Sequence, residues 1–337
     1  MGKDRDSNFE LLRLILMALI VFHHAITHGL GLDSFAEWSN TTLIVKDCEM
    51  NLFLFLNNLT IYAVNTFVII SGYYGIKSSW KKVGNIIAIV LFYTILFTTI
   101  PSLVSGEYHY AIRSLLFISH SPYWFIICYL MLMLFAPIIN KAFEDIDAKK
   151  MKVFTFCIVL ISIYLGYIWG GDIDINGYNF FHFLVLYAIG RCISKNWIHF
   201  SQKVSISLFI LSIFTNTIWA IWLFQTGKFG LVWKTTYYNN PLIMASAIFI
   251  VLFVKDFHFQ NRWINWISTS SLAIYMFQNT EFISKYFYRT AKDCYINAGG
   301  GYNSLIIIIF ISLLVCVCAI LIDKIRFIFE SFFLKHS

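Results

Sequence analysis

The sequence predicts an all-α, polytopic integral membrane protein with about ten transmembrane helices and both termini in the cytoplasm. Three observations carry this prediction. Of the 337 residues, 59% are hydrophobic and only 13% charged, where a soluble domain carries about 25% charged residues; the mean hydropathy is +0.71. The apolar residues fall in continuous runs close to the roughly 20 residues that a spanning helix needs, not in the alternating pattern of a membrane barrel. Lysine and arginine gather on one side of the resulting topology.

The runs follow in order. Residues 9–30 form the first. Their length, and the lack of a small-residue cleavage site after them, make this a retained helix and not a signal peptide. Residues 52–74 and 83–104 are full-length spans, whereas 121–140 is marginal. Residues 153–170 come next, then 179–194, again marginal. Residues 204–224 are long enough, 240–255 are marginal, and 264–284 and 303–322 complete the set. No internal repeat is visible, and connections no longer than about 20 residues leave no room for a soluble domain between helices.

With both termini inside, the cytoplasmic ends and loops hold seventeen of the 25 basic residues, from Lys3 and Arg5 through Lys77, Lys81, Lys82, Lys141, Lys149, Lys150 and Lys152 to Arg326 and Lys335. The outer loops hold seven: Lys46, Arg113, Lys228, Lys234, Lys285, Arg289 and Lys292. This bias supports an even number of spans. It is weakest over 228–292, where the outer loops are themselves basic. The net charge of +7 is dispersed, so no basic domain exists to hold a phosphate backbone, and nucleic acid is excluded as a partner. Of the seven cysteines, Cys128, Cys157, Cys192, Cys316 and Cys318 lie in or beside apolar runs. None has zinc-type spacing, so no metal is expected. Cys48 and Cys294 both fall in outer loops, where a disulfide is chemically allowed.

The first run, FELLRLILMALIVFHHAITH, is the informative one. It carries Glu10, Arg13, His23, His24 and His28, although a charge at mid-bilayer costs about 2.5–3.5 kcal/mol even on the lenient insertion scale. On a helix, Arg13 and His24 differ by only about 20° in direction and by about 16 Å along the axis. Glu10 and His28 lie near the same stripe; His23 points about 100° away and reads as a packing or hydrogen-bonded histidine. One face thus offers an acid and a base near the cytoplasm and an imidazole in the outer half of the membrane. A bland reading is also open, in which Arg13 only snorkels and Glu10–Arg13 is only a local ion pair.

The spacing from Arg13 to His24 resembles the first-helix motif of the acyltransferase family 3 membrane proteins. Four more segments resemble that family in the right order. They are VNTFVIISGYYGIK from Val64 to Lys77, SPYWFIICYLMLMLFAPIIN from Ser121 to Asn140, FLVLYAIGRCI from Phe183 to Ile193, and SLAIYMFQN from Ser271 to Asn279. The resemblance covers about residues 8–285, with the last helix at about 303–322 beyond it, and the whole chain, 1–337, reads as one membrane acyltransferase domain. Gln278 departs from the pattern, because the family commonly has histidine there. Lys77, Lys81 and Lys82 stand where some relatives carry arginines; lysine binds phosphate as a point charge, without the bidentate fork.

The resemblance implies transfer of an acyl group, usually acetyl, from cytoplasmic acetyl-CoA to a hydroxyl of a glycan or lipid-linked sugar (capsule, exopolysaccharide or O-antigen) at the bacterial cytoplasmic membrane. Under it, His24 is the general base, suited by an unperturbed pKa near 6.5. Arg13, Lys77, Lys81 and Arg191 become contacts of the acyl-CoA phosphates, although Arg191, at the cytoplasmic end of its helix, reads equally as a positive-inside flank. Glu10, Trp124 and Glu281 become substrate contacts. Trp124 is open to a second reading as an interfacial aromatic, and Glu281, with Asn279, reads as a second buried polar point in the ninth run. Ser71 and Gly72 read as small residues that let helices approach. The rival class is a transporter or flippase for a lipid-linked sugar, expected to show broken helices or repeated halves.

Overall fold

The computed structural model describes residues 6–32, 45–116 and 123–334. Lys3, Arg5 and Lys335 of the charge count, and Ser121 at the head of one motif, lie outside the described residues. Within the described residues the chain is helical, with no strand. The helices are α1 (Ser7–His24), α2 (Asp47–Ile61), α3 (Ala63–Tyr74), α4 (Trp80–Thr94), α5 (Ile100–Val104), α6 (Tyr108–Ser114), α7 (Trp124–Asp145) and α8 (Ala148–Ile161). They continue with α9 (Phe180–Ser194), α10 (Gln202–Gln225), α11 (Phe229–Val232), α12 (Pro241–Val254), α13 (Arg262–Ser268), α14 (Ser271–Asn279), α15 (Glu281–Asn297) and α16 (Gly301–Leu334). Three π-helical turns prolong helices without breaking them: Ala25–Gly29 after α1, Ile95–Thr99 between α4 and α5, and Ser162–Ile168 after α8.

Eight helical stretches among the described residues are long and apolar enough to cross a membrane, beginning with Ser7–Gly29 and ending with Gly301–Glu330; Phe180–Ser194 is apolar but shorter. The outer surface suits lipid. Along α16, Ile306, Phe310, Leu314, Val317, Leu321, Ile325 and Ile328 are all exposed. Their spacing of three and four residues makes one continuous apolar stripe, a patch that water would not tolerate. Trp80, Trp263 and Trp266 are exposed near one end of the bundle, Trp169 and Tyr302 near the other, as expected of interfacial aromatics. The end where α1 begins is called the near end below, and the opposite end the far end.

α1 is the hub. It packs against α2, α3, α12, α13, α14 and α16, so its polar stripe faces the interior of the bundle, while Leu11 and Ile15 on its other side are exposed. The closest helix pair is α3 with α9. A Cβ on Gly190 would fall 2.2 Å from the Ile69 carbonyl oxygen, and one on Gly72 would fall 2.3 Å from the Tyr187 carbonyl oxygen. Only glycine permits this backbone approach, which fulfils the packing expectation for Gly72.

The ninth run is not one helix, contrary to the reading from hydropathy. It divides into α13, α14 and α15, with a turn at Thr269–Ser270 and an extended Thr280 (φ −70°, ψ 143°). The hydroxyl of Thr280 donates to the Phe277 carbonyl (2.8 Å), competing with the helical ladder. Lys324 of α16 donates to the Trp266 carbonyl (2.7 Å) and to the Thr269 hydroxyl (2.8 Å), holding the end of α13. In consequence Glu281 is exposed at the start of α15, not buried in a span. Cys48 and Cys294 are free thiols, not bridged.

Candidate functional site

The polar stripe of α1 lines a cavity of about 1210 Å³. Glu10, Arg13, His23, His24 and His28 all border it. From Glu10 to His28 is about 27 Å at 1.5 Å per residue, close to the roughly 30 Å thickness of a bilayer's hydrocarbon core. Ser268, Thr269 and Phe327 border its near end, and Trp233, Thr236, Glu281 and Tyr288 its far end. The cost of placing ionisable groups in a membrane helix is met by this internal, partly polar space.

At the near end, Arg13 Nη1 donates to Glu10 Oε1 at 2.7 Å. Glu10 is buried and Arg13 partly exposed, so the carboxylate is committed to the guanidinium while the guanidinium still reaches the cavity. Tyr74 packs over Arg13, with its ring 5.7 Å from the guanidinium carbon, and donates to Asp6 (3.2 Å).

His24 and His28 rings lie 5.2 Å apart, and Tyr288 continues the series 5.3 Å beyond. His23 hydrogen-bonds Thr60 Oγ1 through Nδ1 (2.9 Å), as a hydrogen-bonded histidine was expected to, but it also borders the cavity. His24 borders the cavity, and its Nδ1 is enclosed with no hydrogen-bond partner among the described residues. Gln278 belongs to α14, which packs against α1, and it is buried with both amide atoms unpartnered among the described residues.

A second cavity of about 840 Å³ opens at the near end. It is lined by Lys77, Lys81 and Lys82 and shares Arg13, Ser71, Asn85, Ile86 and Tyr129 with the first. The loop that carries Lys77 is held from behind. Ile76 N donates to Tyr187 Oη (2.8 Å), Tyr187 Oη donates to Asn140 Oδ1 (2.8 Å), and Asn140 Nδ2 donates to the Ile76 carbonyl (3.1 Å). Ser79 caps α4, accepting from Lys82 N (3.3 Å), so the positive end of that helix dipole faces the lysines. Arg191 does not join this group, although the sequence reading placed it there. It lines neither cavity and lies buried behind Gly75, with Nε unpartnered among the described residues. The close approach of α9 to α3 draws it inward.

The far end is walled by aromatics. Trp124 lies 4.7 Å from Tyr178 and 5.7 Å from Tyr238, ring to ring, and those two tyrosines are 4.7 Å apart. All three line the cavity, so Trp124 faces inward and is not merely an interfacial residue. A buried polar chain ends on Tyr238. Ser162 donates to Asp174 Oδ2, which lies 3.3 Å from His182 Nδ1. His182 Nε2 hydrogen-bonds Asn65 Oδ1 (3.2 Å), and Asn65 Nδ2 donates to the Tyr238 carbonyl (2.7 Å). Next to it, Asn216 donates to Asn58 and to the Thr235 carbonyl, and accepts from Asn240 (3.0 Å). Asn57, buried on the same wall, keeps Oδ1 without a partner among the described residues. Glu281 lines this end, where it accepts from Tyr110 Oη (3.2 Å).

Of the site residues read from the sequence, Glu10, Arg13, His24, Trp124 and Glu281 thus border one cavity, Lys77 and Lys81 border the adjoining one, and Arg191 stands apart. Sequence reasoning missed Asn57, Tyr178, Trp233 and Tyr238. For Trp233 and Tyr238 the signal was there in WKTTYYNNP, residues 233–241, a polar and aromatic stretch that leads into the apolar run 240–255.

A family model described as an acyltransferase domain matches residues 6–324. No curated protein and no solved structure matches the chain.

Proposed function

The chain belongs to this acyltransferase family, and from that premise we propose that it moves an acyl group, in the simplest case acetyl, from cytoplasmic acyl-CoA to a hydroxyl of a glycan or lipid-linked sugar. The near end is then the cytoplasmic side of a bacterial cytoplasmic membrane, and both termini lie there. One observation carries the reading. Arg13 and His24 share a wall of a single cavity, and that cavity joins a basic one through Arg13, Ser71, Asn85, Ile86 and Tyr129.

Acyl-CoA is a strongly anionic substrate with a long, flexible arm. Lys77, Lys81 and Arg13 are the cations to hold its phosphates, helped by the N-terminus of α4. Arg191 supports the loop from behind Gly75. The arm then runs along α1, where about 16 Å separates Arg13 from His24, and delivers the thioester to the imidazole. The acceptor enters from the far end, its ring against Trp124, Tyr178 and Tyr238, with Asn57 and Glu281 as polar contacts. Glu10 orients Arg13 and borders the same space.

The chemistry balances without any metal. His24 takes the proton of the acceptor hydroxyl as its oxygen attacks the thioester carbonyl. The tetrahedral centre collapses, the C–S bond breaks, and the imidazolium returns the proton to the departing thiolate. The products are an ester and free CoA.

The test is glycan acylation in cells lacking the gene, complemented with wild type or His24→Ala at matched membrane abundance. Base-labile acetyl is read by NMR of purified surface polysaccharide. Acetyl restored by wild type and not by His24→Ala is expected. Restoration by both removes His24 from the chemistry. If neither alters any acyl group, the reading falls and the flippase alternative replaces it.

A further inference from the structure

Gln278 is fully buried, and neither atom of its amide completes a hydrogen bond among the described residues. In a protein interior such a group normally finds a partner, and an exception calls for an explanation. The neighbouring imidazole presents the matching vacancy, because Nδ1 of His24 is equally enclosed and equally unpartnered. Gln278 does not border the cavity, whereas Tyr275 and Asn279 of the same helix do. It therefore stands behind His24, on the side away from the reacting groups.

We infer that Gln278 is the positioning residue for His24, accepting Nδ1–H on its side-chain oxygen and so leaving the Nε2 lone pair aimed into the cavity. The inference rests on the acyltransferase reading above. The bond forms when the two side chains turn to face each other. The arrangement serves both halves of the reaction. Before transfer, Nδ1–H is held and Nε2 is free to take the hydroxyl proton; after it, the imidazolium keeps the same Nδ1–H bond while Nε2–H is returned to the thiolate. His23 cannot serve, because Thr60 holds its ring, and His28 meets His24 ring to ring.

The experiment uses the full chain in detergent with acetyl-CoA. Thiol release is followed in the presence of membranes from cells lacking the gene, for wild type, His24→Ala, Gln278→Met and Gln278→Glu. Methionine matches glutamine in shape but accepts no strong hydrogen bond, and replacing an unpaired buried amide by an apolar isostere leaves stability equal or higher. The expected result for Gln278→Met is an unfolding temperature no lower than wild type, KM for acetyl-CoA within twofold, and kcat reduced by about 10- to 100-fold, the loss that a misaimed catalytic group brings. Gln278→Glu keeps the acceptor oxygen and is expected to retain kcat within about fivefold at its own pH optimum. Wild-type kcat in Gln278→Met, or a folded Gln278→Glu as slow as His24→Ala, overturns the inference. If wild type releases no thiol, or His24→Ala is as fast as wild type, the acyltransferase reading fails first and the inference falls with it.

Discussion

Gly75→Ala probes the join between backbone conformation and donor binding. Gly75 has φ +68° and ψ 107°, outside the small left-handed region that residues with a Cβ visit. Holding an alanine there costs about 1–3 kcal/mol. A steric term adds little: the new Cβ would lie 2.8 Å from Arg191 Nη1 and 3.4 Å from Asn140 Oδ1, and both are ends of side chains. The cost falls on the loop that presents Lys77, because Ile76 is tied to Tyr187 and Asn140, and Gly75 itself carries little buried apolar area. If acyl-CoA needs that loop shape, about 1–3 kcal/mol becomes a roughly 5- to 150-fold weaker affinity. Equilibrium binding of acetyl-CoA to the full chain measures this, with thermal unfolding as the control. Wild-type affinity in a folded Gly75→Ala protein would refute the idea that the loop's shape, and not only its lysines, holds the donor.

Three further outcomes follow from the geometry. Gly190→Ala forces α9 and α3 apart, because the new Cβ would meet backbone of Ile69, Tyr73 and Gly72; destabilisation of about 3 kcal/mol is expected, and an unchanged unfolding temperature contradicts the contact. Asp174→Ala leaves the buried His182 and Ser162 without their shared partner, with a loss of about 1–3 kcal/mol; hydrogen exchange should rise over 171–179 and 233–240 and stay level over 75–79. Burial and the hydrogen bond to Glu49 push the Tyr295 phenol up to about 12, from an ordinary value near 10. A raised phenol pKa means the neutral form is the folded one, so its contribution is complete below about pH 10 and lost as pH rises through about 12. Tyr295→Phe should flatten stability over that window, and an unchanged slope would remove the assignment.

The stripe on α1 was legible because a helix converts spacing into direction: Arg13, His24 and Glu10 needed no partner to be placed on one face. Gly72 was legible for a similar reason, small residues marking a close helix crossing. The break in the ninth run was not. No proline or glycine marks it, and it is set by hydroxyls of Thr269 and Thr280 together with Lys324 from the last helix, a contact that local hydropathy does not register. Glu281 was therefore assigned to a span it does not occupy. Arg191 was grouped with Lys77 and Lys81 by depth alone, and depth does not distinguish the lining of a cavity from the layer behind it. Trp124 was recognised as aromatic at a boundary, but its companions Tyr178 and Tyr238 come from distant loops, Tyr238 held there by the Asp174–His182–Asn65 chain, which only the folded topology assembles.

The three π turns, Ala25–Gly29, Ile95–Thr99 and Ser162–Ile168, all lie toward the far end of their helices. Each accommodates one more residue per turn than an α-helix allows, so one residue inserted or removed there rotates every side chain beyond it by about 100°. A residue gained or lost at such a turn would re-aim the far wall of the cavity and leave Arg13 and Lys77 untouched. The near half of each of these helices is thus insulated from a change of length at its far end.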